Sequence, residues 1–397
     1  MQAAQLQNML DAPEAFARWL EPLGFRDARA GHASLRRIAD TGLPLDLLGV
    51  LCQQFAQVAP HLADADMAWF NLERFLLAAR SPLSTTALFE RDEKALPQLL
   101  TLLTASQDLS DLLCTDPESY DFLRMTEGLP VARTLLIDEL LSDVRVLKSE
   151  PEVLAALRRF KRRETLRIAY GDIVGGQPVE QVTRQISYVA DAMVEAALDV
   201  ATRGVLAKRQ RRNGNQLQPP RLAVLALGKL GGFELNYSSD IDLVVIHRGA
   251  SEGPRDADSE IAGRIVQEMI RLLTESTELG APYRIDMRLR PEGRQAPLSI
   301  SMDRALKYYD TRGRTWERQA YVKARVIAGD METGQELLDR LEPWIYSRYL
   351  SLADITGIKG LKRRLERTAE SAGVAARNVK TGRGGIRDIE FVIQFLQ

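Results

Sequence analysis

The chain has 397 residues, an ordinary share of apolar residues and a formal net charge of −1. It is long enough for two domains, and its neutral balance does not indicate a general polyanion binder such as a nucleic-acid-binding protein. The isolated Cys52 and Cys114 and the three histidines argue against a disulfide framework, a zinc cluster and a Cys/His catalytic pair. No stretch resembles a signal peptide or an apolar span of membrane length. We therefore expect a soluble, cytoplasmic protein with no membrane partner.

Helical periodicity dominates residues 1–205, where proline-containing joints separate the segments. Two apolar stripes at helical spacing are interpreted as core: Leu96, Leu99, Leu100 and Leu103, and Ile186, Ala190, Met193, Ala197 and Val200. The basic run 158–167 (RRFKRRETLR) is predicted to be a solvated helix face, with a surface for an acidic partner or a nucleotide as the alternative. Residues 208–220 (KRQRRNGNQLQPP) are predicted to be an exposed linker.

The stretch 222–246 (LAVLALGKLGGFELNYSSDIDLVVI) is predicted to carry the functional site. Its first part, 222–227, is a short apolar run without alternation, which is typical of a strand buried on both faces. Gly228 ends that strand, and the glycines that follow let the backbone approach a ligand closely. A short helix through Glu234 and Leu235 is predicted next, with its amide end open towards a phosphate.

Two aspartates, Asp240 and Asp242, lead into a second buried strand at 243–246. Side chains of a strand alternate between its faces, so both carboxylates point to one side. At a separation of about 5 Å they repel each other by about 3 kcal/mol at an effective dielectric of about 20, which a divalent cation would offset. Aspartate oxygens are hard ligands that suit Mg²⁺ or Mn²⁺, and a neighbouring glycine turn suits nucleotide phosphates. The alternative is a solvated Ser-Ser-Asp turn that caps the strand.

Residues 283–290 (YRIDMRLR) supply a third carboxylate. Their strict alternation predicts a core side with Tyr283, Ile285, Met287 and Leu289, and an opposite side with Arg284, Asp286, Arg288 and Arg290. On a strand next to the first pair, about 4.8 Å away, Asp286 would reach a common ion. The arginines form either a structural ion-pair ladder or, beside the aspartates, a face that binds an anionic ligand through paired hydrogen bonds.

The order of strand, turn, strand, helix and strand predicts a small mixed sheet with helices packed on it. A loop at 249–258 precedes the crossing helix, and the chain is expected to be helical again from about Tyr308. Glycines at 382, 384 and 385 precede a helix at 386–397 whose apolar stripe ends without a C-cap, so we expect the intact protein to continue. We predict an α+β protein with a helical region 1–205, an α/β core 206–310 and a helical segment 311–397.

Several long motifs resemble one known family. They are LRRFKRRETLRIAYGDI at 157–173, GKLGGFELNYSSDIDLVV at 228–245, YRIDMRLRPEG at 283–293, GRTWERQAYVKARVIAGD at 313–330 and VKTGRGGIRDIEFVIQ at 379–394. Together they resemble the bifunctional glutamine synthetase adenylyltransferase/adenylyl-removing enzymes of the nucleotidyltransferase superfamily, which implies a nucleotidyltransferase-like core. The superfamily pattern, a Gly-Ser pair after a strand and then Asp-x-Asp, corresponds to Gly228-Lys229 and Asp240/Asp242. Lys229 stands in place of the usual serine.

The resemblance and the residue patterns together define the predicted site. Its catalytic and Mg²⁺-binding residues, with Mn²⁺ as the alternative metal, are Asp240, Asp242 and Asp286. Its predicted nucleotide and phosphate contacts are Gly228, Lys229, Gly231, Ser238, Ser239, Arg288, Arg290, Lys323 and Arg325. Only the resemblance puts Lys323 and Arg325 near this site.

The family that the motifs resemble joins two such units, one that transfers AMP from ATP to a tyrosine of glutamine synthetase and one that removes it by phosphorolysis. The motifs DMRLRP and GRTWERQAYVKAR are more similar to the N-terminal, adenylyl-removing unit. The resemblance therefore implies that adenylylated glutamine synthetase and phosphate yield unmodified enzyme and ADP, with a PII-type nitrogen-signal protein as partner of the full-length protein. Two alternatives stay open: an adenylyltransferase that uses ATP, and a catalytically silent module that binds a partner or a nucleotide for regulation.

Overall fold

The computed structural model describes residues 3–213, 218–249, 255–346 and 384–396, together with single positions between 356 and 379. The chain forms two compact units, of which the first comprises residues 1–131 and 162–182 and the second comprises residues 132–161 and 183–397. Every residue of the predicted site belongs to the second unit.

The first unit is helical, as the periodicity of its sequence predicts. Its helices are α1 (Ala3–Asp11), α2 (Pro13–Leu20), α3 (Ala28–Ala39), α4 (Leu45–Val58), α5 (Ala65–Ala78), α6 (Pro82–Arg91), α7 (Ala95–Ala105), α8 (Gln107–Thr115) and α9 (Ser119–Thr126). Side-chain oxygens of Asp27, Asp64 and Ser81 accept backbone N–H groups at the starts of α3, α5 and α6, which satisfies donors that a helix start leaves open. The predicted leucine stripe of α7 is buried. In the same core, the rings of Phe55 and Trp69 meet edge-on with centroids 4.7 Å apart.

Further helices follow: α10 (Arg133–Val146), α11 (Glu150–Ile173) and α12 (Val179–Asn213). Because α12 runs past residue 205, the predicted linker 208–220 is wrong in its first part. Lys, Arg and Gln at these positions are good helix formers and extend the helix, while residues 214–217 lie outside the described part of the chain. The predicted apolar stripe of α12 is confirmed by the burial of Ile186, Ala190, Met193 and Ala197, whereas its last member, Val200, is only partly buried.

The basic run of α11 is not simply a solvated face. Arg158 and Arg167 are each 1% exposed. Arg158 donates hydrogen bonds to the carbonyls of Glu275 and Gly280, and Arg167 donates to the carbonyl of Leu129. Both earlier interpretations, a solvated face and a surface for an acidic partner or nucleotide, are therefore wrong for these two residues. A guanidinium carries several N–H donors, so one side chain can satisfy carbonyls at the ends of separate chain segments.

The second unit is built on a mixed sheet that has five strands within the described residues. Its elements are β1 (Arg221–Leu227), α13 (Gly228–Gly231), β2 (Ile241–Arg248), α14 (Arg255–Thr274), β3 (Ile285–Asp286), β4 (Ser299–Ser301), α15 (Met302–Arg312), α16 (Thr315–Tyr321), β5 (Arg325–Gly329), α17 (Met331–Ile345) and α18 (Ile386–Leu396). The strand order is β3-β2-β1-β5, with β4 also paired to β2. β1 is antiparallel to β2 and β5, whereas β2 is parallel to β3 and β4. The predicted α+β class with a small mixed sheet is confirmed.

The sheet extends beyond the predicted core 206–310, because β5 pairs with β1. Val326, Ile327 and Ala328 of β5 are buried in it. The expectation of helix from about Tyr308 onwards is therefore wrong for this strand. Such a short strand between two helices carries too few residues to establish a period-two pattern. The strands predicted at 222–227 and 243–246 are confirmed, and both are buried along their length.

The helix α18 carries the predicted apolar stripe, with Ile386, Ile389 and Ile393 about half exposed. The carboxylate of Asp388 accepts the backbone N–H of Gly384 just before the helix begins, whereas Gly382 lies outside the described residues. In the part of the chain that the structure describes, no helix combines the length and the apolar character needed to cross a membrane.

A buried histidine on β2 is expected to make the stability of this unit depend on pH. His247 is 3% exposed, and its ring nitrogens contact the hydroxyls of Ser299 at 2.8 Å and Ser259 at 3.1 Å. Burial lowers the pKa of His247, because the imidazolium loses its hydration. The unfolded chain therefore binds more protons in acid, and stability is lost as pH falls through the folded-state pKa. We expect His247→Gln to flatten the fall in unfolding free energy between about pH 7 and about pH 5, measured by urea titration.

The control for this measurement is His61→Gln, at an exposed position of the first unit. This variant should keep the wild-type dependence on pH. If the unfolding free energy of the His247→Gln protein fell as steeply with pH as that of the wild type, burial of His247 would not be the cause of the fall.

Candidate active site

The glycine turn, residues 228–235, leaves β1 at the edge where the predicted site lies. Gly228 has φ +57°, and a Cβ there would lie 2.6 Å from the Oδ2 atom of Asp242. A Cβ on Gly231 would lie 2.2 Å from the carbonyl oxygen of Lys323. Both positions therefore require glycine, one for its backbone conformation and both for close approach.

The turn contains one short helical turn, α13, which begins at Gly228 itself. The predicted helix through Glu234 and Leu235 is wrong. Phe233 adopts a left-handed conformation with φ +58°, which stops any helix before these residues. A backbone hydrogen bond of 2.7 Å from Glu234 N to the carbonyl of Lys229 closes the turn.

The carboxylates of the site come from neighbouring strands. Asp240 directly precedes β2, and Asp242 lies within it, opposite Leu227 at the end of β1. On the other side of β2, Asp242 pairs in register with Asp286 of β3. The predicted adjacency of the third carboxylate is confirmed, since paired residues of adjacent strands lie about 5 Å apart.

Two exposed arginines form ion pairs with Asp240 and Asp286. Arg284 donates from Nε to Asp240 at 2.5 Å and from Nη2 to the carbonyl of Ser238 at 2.8 Å. Arg288 donates to Asp286 from its backbone N at 2.8 Å and from its Nε at 2.7 Å. The hydrogen bond from the Arg288 side chain lowers the pKa of Asp286 below its usual value. In turn Asp286, with smaller contributions from Asp242 and Asp240, raises the pKa of Arg288. All three carboxylates therefore act on one positive charge.

The ligand atoms at this site are of the type that a divalent cation prefers. Carboxylates of three residues act on the Arg288 guanidinium, and hard carboxylate oxygens are the ligands that Mg²⁺ and Mn²⁺ require. Within the described residues no three His, Cys, Asp or Glu side chains are gathered as a finished metal centre. Asp240 and Asp286 are instead directed at guanidiniums. A cation at this site would be held by Asp240, Asp242 and Asp286.

Other predicted contacts line the glycine turn. The ammonium of Lys229 lies 3.5 Å from the hydroxyl of Ser239, which donates to Asn236. The ammonium of Lys323 lies 2.7 Å from Glu234. The structure thus brings Lys229, Ser239 and Lys323 to the same turn as Gly228 and Gly231.

Two residues predicted to contact phosphate have their partners within the protein. Arg290 is 7% exposed, and its guanidinium donates to the carbonyls of Met287 at 2.6 Å and Ala296 at 2.9 Å. The expected alternation fails because β3 ends at Asp286 and the chain turns. Arg325 directs its guanidinium to the fully buried Asp191 and to the backbone of the glycine turn. Both guanidiniums bond groups of the protein itself, which argues against these two predicted phosphate contacts.

Sequence reasoning missed Asp191 and Arg133, whose side chains are joined by a 2.6 Å hydrogen bond from Nε to Oδ2. A signal for Asp191 was present, because it is a single carboxylate within the apolar run VADAMV of α12. A charge in such a position is expected to be paired. Its partners could not be named from the sequence, since Arg133 and Arg325 lie far from it along the chain.

The fold and the site define a class. A mixed sheet with a glycine turn after its first strand, an Asp-x-Asp on the next and a third aspartate in register is the arrangement of a nucleotidyltransferase-like protein. The chain belongs to the glutamate-ammonia ligase adenylyltransferase family, whose model matches residues 96–340. A second family model, GlnD PII-uridylyltransferase, matches residues 357–397.

Curated relatives carry the same family name in fuller form. A protein named bifunctional glutamine synthetase adenylyltransferase/adenylyl-removing enzyme from a Bradyrhizobium species is 37% identical over 364 residues, 88% of this chain and 36% of that protein. Proteins of the same name from Rhodopseudomonas palustris and Hahella chejuensis are each 38% identical, over 75% and 62% of this chain and 31% and 26% of their own lengths. The chain therefore spans about a third of the length of the curated relatives it matches.

Proposed function

We propose that this chain removes AMP from the adenylylated tyrosine of glutamine synthetase by phosphorolysis. The observation that carries the proposal is the meeting of Asp240, Asp242 and Asp286 beside two exposed arginines at one edge of the sheet. The names of the relatives supply the substrate, glutamine synthetase, and the two reactions between which a choice is needed. The motifs of the chain resemble the adenylyl-removing unit more closely, which favours removal.

Different site residues would have different roles in such a reaction. Asp240, Asp242 and Asp286 would hold Mg²⁺ or Mn²⁺, which would neutralise charge on the α-phosphate when bound. Arg284 and Arg288, with side chains 73% and 62% exposed, attract the phosphate dianion and offset its repulsion from the substrate. The bond between phosphorus and the tyrosine oxygen breaks while a new bond to a phosphate oxygen forms, giving ADP. The departing phenolate, whose pKa is near 10, takes up a proton from solvent.

The glycine turn provides the remaining contacts in this proposal. Lys229 and Ser239 lie together beside Gly228, so an ammonium and a hydroxyl are available to nonbridging oxygens of the nucleotide. Such contacts orient the phosphorus between entering and leaving oxygens, and positioning with charge neutralisation supplies most of the catalysis in phosphoryl and nucleotidyl transfer.

The experiment incubates adenylylated glutamine synthetase with the purified chain, inorganic phosphate and Mg²⁺. Release of ADP supports phosphorolysis. If no ADP is released but AMP is transferred from ATP to unmodified glutamine synthetase, the result supports the second candidate, an adenylyltransferase. That candidate is favoured by the description of the matching family. The control reaction replaces phosphate with sulfate, which has a similar shape but cannot yield ADP.

A third candidate is a catalytically silent module that binds a partner or a nucleotide for regulation. The match of residues 357–397 to a PII-uridylyltransferase family is the observation behind a regulatory partner, for which a PII-type nitrogen-signal protein is the proposed candidate. If the chain released no ADP and transferred no AMP, while Asp240→Asn combined with Asp242→Asn abolished partner binding, this third candidate would replace the enzyme. Retention of all three carboxylates supports catalysis instead.

Arg288→Gln should raise the KM for phosphate about 10- to 100-fold, because a hydrogen bond to a charged group contributes about 1.5–3 kcal/mol. Steady-state ADP release at increasing phosphate concentration measures this effect. Arg264→Gln, on the exposed surface of α14, removes an arginine that pairs with Glu260 of the same helix and serves as the matched control. A KM within about twofold of wild type for Arg288→Gln would contradict the assigned contact.

A further inference from the structure

Polar side chains of α12 are turned towards the glycine turn. The hydroxyl of Ser187 accepts the backbone N–H of Leu235 at 3.4 Å. The ring of Tyr188 meets the ring of Phe233 edge-on, with centroids 5.9 Å apart. One helical turn further along, Asp191 reaches the same region through Arg325. The glycine turn therefore packs on this face of α12, which we call its support.

A second part of this support is an ion pair on a fully buried carboxylate. Asp191 is fully buried and accepts hydrogen bonds from Nη1 and Nη2 of Arg325 at 2.5 and 2.8 Å. Nε of Arg133 donates to the same carboxylate at 2.6 Å. A bidentate pair away from water fixes the orientation of the guanidinium as well as its position. Arg325 is thus held in one arrangement.

The remaining donors of Arg325 reach the glycine turn. Its Nε and Nη2 lie 3.3 and 3.0 Å from the carbonyl oxygen of Leu230. Its guanidinium carbon lies 3.9 Å from the centroid of the Phe233 ring, in cation–π contact. Phe233 has φ +58°, a conformation that costs a residue with a Cβ about 1–2 kcal/mol and persists only where neighbours hold it. Arg325 and Tyr188 are those neighbours.

We propose that Arg325, anchored by Asp191, is a positioning residue for nucleotide binding by the glycine turn. By holding Leu230 and Phe233 it keeps Gly228 against Asp242, so the turn and the carboxylates face a nucleotide in one fixed arrangement. This inference rests on the proposed function, since it requires that the turn binds a nucleotide. It goes beyond that function by giving a role to an ion pair that touches no reacting atom.

A matched control lies on the same helix. Glu195 accepts the backbone N–H of Gly329 at 2.7 Å and thereby fixes the end of β5, not the glycine turn. Its side chain is part of the same buried support, and burial raises its pKa. Glu195→Gln therefore removes a charge from the same helix without a change in the turn.

The test variant is Arg325→Lys, which keeps a positive charge for Asp191 but cannot also bond the Leu230 carbonyl and stack on Phe233. Calorimetric titration of the whole chain with ADP and Mg²⁺ should give a dissociation constant about 10- to 100-fold weaker than wild type, the usual effect of losing a supporting partner. In ADP release, kcat should fall while the KM for inorganic phosphate stays unchanged. Glu195→Gln should bind ADP within about twofold of wild type.

Phe233→Gly is the second variant, in case Arg325→Lys does not fold. Glycine accepts φ +58° without strain, so the chain should fold while losing the stacked ring. It should weaken ADP binding as Arg325→Lys does. Wild-type affinity in either folded variant, equal losses in Glu195→Gln, or no ADP binding by the wild type would overturn the proposal. If the wild type binds ADP but releases none from adenylylated glutamine synthetase, only the proposed function is refuted. The ADP affinities of the variants and the wild type would still decide whether Arg325 is a positioning residue.

Discussion

Asp242→Asn is expected to reduce ADP release from adenylylated glutamine synthetase about a thousandfold while leaving the fold intact. Asp242 is the central carboxylate. On one side it pairs in register with Asp286, and on the other its Oδ2 atom would lie 2.6 Å from a Cβ at position 228. Asparagine keeps the shape but loses the charge that would offset a cation. Charge stabilisation of several kcal/mol is lost, and about 1.4 kcal/mol corresponds to a tenfold change in rate.

The fold should tolerate this change, because it removes repulsion between neighbouring carboxylates. The free energy of unfolding should stay within about 1 kcal/mol of wild type, measured by urea titration. Asp303→Asn, at an exposed position in the first turn of α15, is the control and should change neither quantity. Turnover at the wild-type rate with Asp242→Asn would remove the carboxylates from the mechanism. Loss of turnover together with unfolding would assign them a structural role only.

The carboxylate site could be predicted because each of its features is local. Short apolar runs identified the two buried strands, and period two then set the side to which Asp240 and Asp242 point. The third carboxylate followed from the alternation around Asp286, which the register with Asp242 bears out. These inferences need only the sequence within each strand.

The contacts of the arginines could not be predicted equally well, because their partners lie elsewhere in the chain. The carboxylate of Asp286 accepts the backbone N–H of Arg288, a local hydrogen bond that competes with the sheet and ends β3. Alternation therefore fails before Arg290, which turns inwards to backbone carbonyls. Arg325 was expected at a ligand from resemblance alone, and its buried partner Asp191 lies on a helix that period and composition describe only as core.

A single methyl group at Gly228 is expected to damage both the fold and the site. In Gly228→Ala the residue must keep φ +57°, which costs about 1–2 kcal/mol for a residue with a Cβ. The added Cβ would lie 2.6 Å from Oδ2 of Asp242, so the carboxylate must move away. A displacement of about 1 Å at a reacting centre can cost about a hundredfold in rate. ADP release and urea unfolding of the same preparation measure the two effects.

The comparison with Gly204→Ala separates these effects from those of any glycine replacement. Gly204 lies within α12, and a Cβ there would have no neighbour within 4 Å. Alanine should therefore stabilise this helix by about 0.5–1 kcal/mol and leave ADP release unchanged. If Gly228→Ala behaved like Gly204→Ala, the close contact between the glycine turn and Asp242 would not exist in solution. Reduced turnover at nearly full stability would instead mean that displacement of the Asp242 carboxylate, rather than backbone strain, causes the loss.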